Sequence, residues 1–112
     1  MSKKNSYDLG TTTVKVGLFN LSGSLVKLSK REQQIIVPRA DRVEQSLFST
    51  LDLVKSCINE ITVGIKEIKA ISLSVQRGSI VPLSSNGTPL TNLISWMDIR
   101  GKPYYIEEIK KR

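Results

Sequence analysis

The chain has 112 residues, 39% of them hydrophobic and 24% charged, with a net charge of +7; that is enough for one core and too little for two. No apolar run approaches the roughly 18 residues of a membrane span, and the N-terminal lysines are not followed by the apolar region of a secretory signal. The complete absence of histidine removes the commonest general base and the commonest metal ligand, so any chemistry must rest on carboxylates, Lys, Arg, backbone and bound ions.

A basic chain makes nucleic acid a fair first suspicion. The positions argue against it. Small groups occur only at Lys27, Lys30 and Arg31 and at Lys110, Lys111 and Arg112, and neither is interleaved with the aromatics that stack on bases. These groups read as solvated surface. The single Cys57 has no internal disulfide partner and fits a reducing cytoplasm.

From the N-terminus, "MSKKNSYD" contains nothing like an apolar strand. Residues 14–19, "VKVGLF", alternate as a half-buried strand; "NLSG" at 20–23 is a turn, and residues 25–28 alternate again, so a hairpin is expected. Residues 34–37 predict an extension or a further short strand, ended by Pro38. Asp41 and Glu44 have capping-box spacing, which predicts a helix starting there or a few residues later. Val43, Leu47, Leu51, Val54, Ile58, Ile61 and Ile65 recur at steps of three or four and form its apolar face, with Cys57 packed beside them. Residues 68–75 predict a buried strand and residues 79–83 another. Asn86-Gly87 predicts a tight turn with positive φ. Residues 90–96 read as extended, and residues 103–112 as the first turns of an unfinished helix or a fraying tail. Hairpin-linked strands with a helix crossing back argue for an α/β mixed sheet, and residues 1–112 are read as a single partial domain.

The chemistry concentrates in "DLGTTTVK", residues 8–15. Gly10 permits a close turn, and Thr11, Thr12 and Thr13 offer hydroxyls. Successive N–H groups in such a turn form an anion nest, and Asp8 is placed to hold Mg²⁺ directly or through water. Lys15 reaches the same anion as a point charge. No Walker A motif occurs, and a strand rather than a helix follows. A plain hairpin turn accounts for the same residues without chemistry.

"DLGTTTVK" resembles the phosphate hairpin of the actin-like ATPase superfamily. "SLSVQRGSIVPLSSNGTPLTNLISWMDIRG", residues 72–101, resembles the FGGY carbohydrate kinases, the group of glycerol kinase, xylulokinase and gluconokinase, through Gln76-Arg77-Gly78, Gly87-Thr88-Pro89-Leu90 and Ile94-Ser95-Trp96-Met97-Asp98-Ile99-Arg100. Val43-Glu44-Gln45 resembles the family's element before its first helix. The resemblance covers nearly the whole chain and implies an RNase H-like fold, ATP with Mg²⁺, and a sugar or polyol as phosphoryl acceptor. By the same resemblance Asp8, Gly10, Thr11, Thr12, Thr13 and Lys15 face metal and phosphates, while Gln76 and Arg77 belong to the substrate loop. Glycerol kinase has a glutamate where this chain has Gly78, and the Trp-x-Asp-x-Arg form leans to the xylulokinase-like branch. Trp96 is either a wall of the sugar pocket or a core or interface tryptophan. Asp98 and Arg100 either border the site or pair structurally.

The family's catalytic aspartate lies farther along than Arg112, so no catalytic residue is nominated here. With only Tyr7 before Asp8, the central strand of the family is expected to be missing, leaving sheet edges unpaired. The expectation is therefore an incomplete kinase, inactive alone, whose partner is the remainder of the kinase or a second copy of itself. The alternative is a non-catalytic module that binds phosphate, another anion or a protein partner.

Overall fold

The computed structural model describes residues 3–9 as backbone and residues 12–112 in full. Along the chain the elements are β1 (Lys3–Leu9), β2 (Thr13–Asn20), β3 (Leu25–Glu32), β4 (Ile36–Arg39), β5 (Arg42–Gln45), α1 (Leu47–Ile61), β6 (Ile68–Val75), β7 (Leu93–Ile94) and α2 (Lys102–Lys110). They divide into two compact units, Met1–Gln34 with Phe48–Gln76, and Ile35–Leu47 with Arg77–Arg112.

The first unit is a four-stranded mixed sheet in the order β3-β2-β1-β6. β1 runs antiparallel to β2 and parallel to β6. The polar stretch before Asp8 thus forms an inner strand, contrary to the sequence expectation. A ladder is made by backbone N–H and C=O groups, and two flanking strands satisfy those of β1 whatever its side chains are. On β2, alternation puts Val14, Val16 and Leu18 on one face, fully buried against Cys57 and Ile61 of α1. Burying one such aliphatic side chain contributes about 1.5–3 kcal/mol. Leu53, Val54, Ile58, Ile65 and Ile68 flank that core. Cys57 is thus a packed thiol, as its place beside the stripe implies.

Turn chemistry closes the β2–β3 hairpin. Asn20 Oδ1 accepts hydrogen bonds from Ser22 N at 3.1 Å and Ser24 N at 2.9 Å, and Gly23 supplies the positive φ. β3 is tied to α1 by Glu60, whose carboxylate accepts from Ser29 Oγ at 2.7 Å and pairs with Arg31. The Gln33 side chain donates to Thr50 Oγ1 at 2.9 Å in the interior.

In the second unit a three-stranded antiparallel sheet has the order β4-β5-β7. The helix begins at Leu47, within the few residues after Asp41 that the capping signal allowed, because Glu44 and Gln45 pair with Ile94 and Leu93 and hold residues 42–45 extended. Val43 of the predicted stripe lies in β5, and the helix buries Thr50, Cys57 and Ile61 while Leu51 is 44% exposed. Pro38 does not end β4, which runs through it to Arg39 as an edge strand with interrupted register. The strand expected at residues 79–83 reduces to two isolated bridges, Ile80 with Ile94 and Leu83 with Pro89; prolines on both sides of the second bridge withhold the N–H groups that a ladder needs. Gly87 takes φ +84° in the predicted turn, where Thr88 N donates to Asn86 Oδ1 at 3.1 Å. α2 carries Pro103 in its first turn, where a missing N–H leaves nothing unpaired.

Candidate functional site

The candidate phosphate turn lies in the first unit. β1 and β2 pair from Lys3 with Asn20 to Leu9 with Val14, so the segment between them closes at the end of two inner strands. Gly10 and Thr11 lie outside the described residues, as does the side chain of Asp8. The register sets Asp8 opposite Lys15 on one side and Ser74 on the other. Thr12 and Lys15 are exposed and Thr13 is half-buried. The exit of the turn is anchored, because Gln33 N donates to Thr12 O at 2.8 Å.

The substrate candidates fall in two places. Gln76 ends the first unit, half-buried, and Arg77 begins the later segment of the second, exposed. Trp96 is 56% exposed, which excludes the reading as a core tryptophan. Its backbone N–H donates to Ser79 Oγ at 3.1 Å. Gly78, at φ +78°, lies so close that an added Cβ would stand 3.4 Å from Trp96 Cβ. The loop carrying Arg77 and the turn carrying Trp96 are thus neighbours.

Asp98 is engaged inside the protein. Its oxygens accept from Val43 N at 2.7 Å, Arg100 N at 3.0 Å, Arg100 Nε at 2.8 Å and an Arg100 terminal nitrogen at 2.7 Å. The same terminal nitrogen of Arg100 meets Glu44 at 2.7 Å, and Asn92 Nδ2 donates to Glu44 at 3.1 Å. The Arg100 guanidinium, aided by the N–H groups of Val43 and Arg100, holds the Asp98 carboxyl well below the usual carboxylate range. Arg100 and then Asn92 lower Glu44 in the same direction, and the two carboxylates raise Arg100. This network joins β5 to the turn that bears Trp96. Sequence reading singled out Asp98 and Arg100 but gave Glu44 a capping role and missed its pairing with Arg100, since no local period links residues 44 and 100.

A family model described as the FGGY family of carbohydrate kinases, N-terminal domain, matches residues 5–112. Glycerol kinase of Aquifex aeolicus is 37% identical over 103 residues, covering 89% of this chain and 21% of that protein. Among solved structures, ligand-bound xylulose kinase from Lactobacillus acidophilus superposes on 99% of this chain with a TM-score of 0.92 at 28% identity, using 23% of its own length. Gluconate kinase from the same organism gives 0.88 at 29% identity over 98% of this chain and 23% of its own. The chain therefore spans about a fifth of the length of these relatives. Its mixed sheet with a crossing helix is the RNase H-like, actin-type fold that the motifs implied. With a match running from residue 5 to residue 112, the chain belongs to the FGGY family of carbohydrate kinases, in its N-terminal domain.

Proposed function

We propose that the chain supplies the phosphate turn and part of the acceptor wall of an ATP-dependent kinase that phosphorylates a hydroxyl of a sugar or polyol, with a xylulose-type acceptor. The observation that supports the reading is the unbroken pairing of β1 with β2, the two inner strands that flank the Gly-Thr segment in sequence. Gly10, Thr11, Thr12 and Thr13 would cradle phosphate oxygens, and Lys15 would offset their charge. Among the described residues no three His, Cys, Asp or Glu side chains gather to hold a metal. A Mg²⁺ ion would thus rely on Asp8, directly or through water, together with phosphate oxygens, a ligand set that Mg²⁺ commonly takes in kinases. When bound with ATP, the ion supplies neutralisation of the phosphate charge.

For the acceptor, Arg77 and Gln76 would bond hydroxyls, and the exposed Trp96 would pack on C–H groups. Asp98 would serve the same wall by pinning the Trp96 turn, since its oxygens already accept four protein hydrogen bonds. Gly78 in place of a glutamate supports a xylulose-type acceptor; the 37% identity to a glycerol kinase makes glycerol the necessary control. The base for the acceptor hydroxyl would come from the remainder of the kinase. A reducing cytoplasm suits the buried Cys57.

The test is ADP release with D-xylulose, glycerol and gluconate by the longest polypeptide that the reading frame encodes, beside the 112 residues alone. Turnover by the longer chain on one of these, and none by the 112 residues, is expected. Robust turnover by the 112 residues would overturn the division of labour, and none by a folded longer chain would favour a binding module.

A further inference from the structure

The β2–β3 ladder sets Lys15 opposite Lys30 and Thr13 opposite Glu32. Directly paired residues on neighbouring strands have Cβ atoms roughly 5 Å apart, and like charges in that arrangement are destabilising. Among the described residues neither lysine takes part in an ion pair, whereas Arg31, next to Lys30 in sequence, is committed to Glu60. Both lysines are exposed, and they line a cavity of about 270 Å³ with Thr13, Arg31 and Glu32. A small cavity lined by three basic side chains, a threonine and one carboxylate carries a net positive charge and is suited to an anion. Its volume falls just under the range of about 300–1,000 Å³ usual for whole organic ligands.

From this geometry we infer that Lys30 is a second phosphate-binding cation, which with Lys15 holds a chain of linked phosphates along the β2–β3 face beside the Gly-Thr turn. The identity of the anion rests on the kinase reading above; the paired lysines and the cavity do not. Relief of the Lys15–Lys30 repulsion gives the anion a reason to bind here rather than at any basic surface. Glu32 opposes it and limits how far the anion extends toward Thr13.

The test titrates the 112-residue chain with inorganic tripolyphosphate, following amide shifts by NMR. Lys30→Gln and Lys15→Gln are each expected to weaken binding about tenfold, the loss of one charge-assisted contact. Lys27→Gln, which makes the same change in net charge but pairs opposite Leu18, is expected to change binding less than about twofold. Glu32→Gln is expected to tighten it. Equal effects of Lys27→Gln and Lys30→Gln, or no saturable binding by the parent chain, would overturn the inference, leaving diffuse attraction only. Tripolyphosphate binding that depends on Lys30, in a protein whose longer chain phosphorylates no sugar, would sustain this site while refuting the kinase reading. Sugar phosphorylation by the longer chain with the KM for ATP unchanged in Lys30→Gln would do the reverse.

Discussion

Asp98 is 2% exposed at its side chain and accepts four hydrogen bonds, so its charge is held by Arg100 rather than by water. A carboxylate whose folded pKa lies below its unfolded value of about 4 adds stability that is fully present above that value and is lost as pH falls through the folded pKa. Asp98 and Glu44 are both shifted downward. Stability should therefore be steady near neutrality on their account and decline below about pH 4. The chain has one tryptophan, so Trp96 fluorescence during urea unfolding reads the unit that contains the network. Asp98→Asn is expected to lower the midpoint at pH 7 and to flatten the decline between pH 4 and pH 2; an unchanged acid slope would remove Asp98 from the account. On the proposed kinase function, Lys15→Ala in the longest polypeptide that the reading frame encodes should lower kcat/KM about a hundredfold. Trp96→Ala should raise the KM for sugar roughly tenfold and leave the KM for ATP unaltered.

Between elements, the contact that matters most is β2 against α1. Ile61→Ala removes a fully packed side chain from the Val14, Val16, Leu18 and Cys57 cluster and is expected to cost about 2–5 kcal/mol. Leu51→Ala on the same helix, at a position 44% exposed, should cost about 1 kcal/mol or less. Urea unfolding of the two variants separates the observed buried face from the simpler i, i+4 stripe, which treats Leu51 and Ile61 alike. The alternation of β2 was legible in the sequence because its inward side rests on a single helix. β5 was not, because one of its two pairing partners, β7, lies some fifty residues downstream.

At the scale of the molecule, β6 has no neighbour beyond β1 among the described residues. Ile71, Leu73 and Val75 on it are exposed. They are in register with Asn5, Tyr7 and Leu9 of β1, which pair in turn with Leu18, Val16 and Val14, so they extend the face that α1 covers over β2. An apolar strand at a sheet edge invites pairing with another chain. The net charge of +7 opposes that association at low ionic strength. Sedimentation velocity of the 112-residue chain is expected to show self-association that grows with salt and is suppressed by Leu73→Lys. A monomer at all salt concentrations would show that the edge is protected.

The sequence alone determined the hairpin, the Asn-Gly turn, the extended form of residues 68–75 and the two spaced motifs that mark the family, because each is written in adjacent residues or in short periods; the burial expected of residues 68–75 is not found, since every residue after Ile68 is exposed at this sheet edge. Tertiary structure decided the rest. Whether polar residues 3–9 make a strand depends on backbone groups of β2 and β6, and whether residues 42–45 coil or extend depends on β4 and β7. Glu44 meets Arg100, and Lys15 faces Lys30, only because strand register brings distant residues to one place. Local propensity is worth a few tenths of a kcal/mol per residue, and a satisfied ladder or a buried face outweighs it.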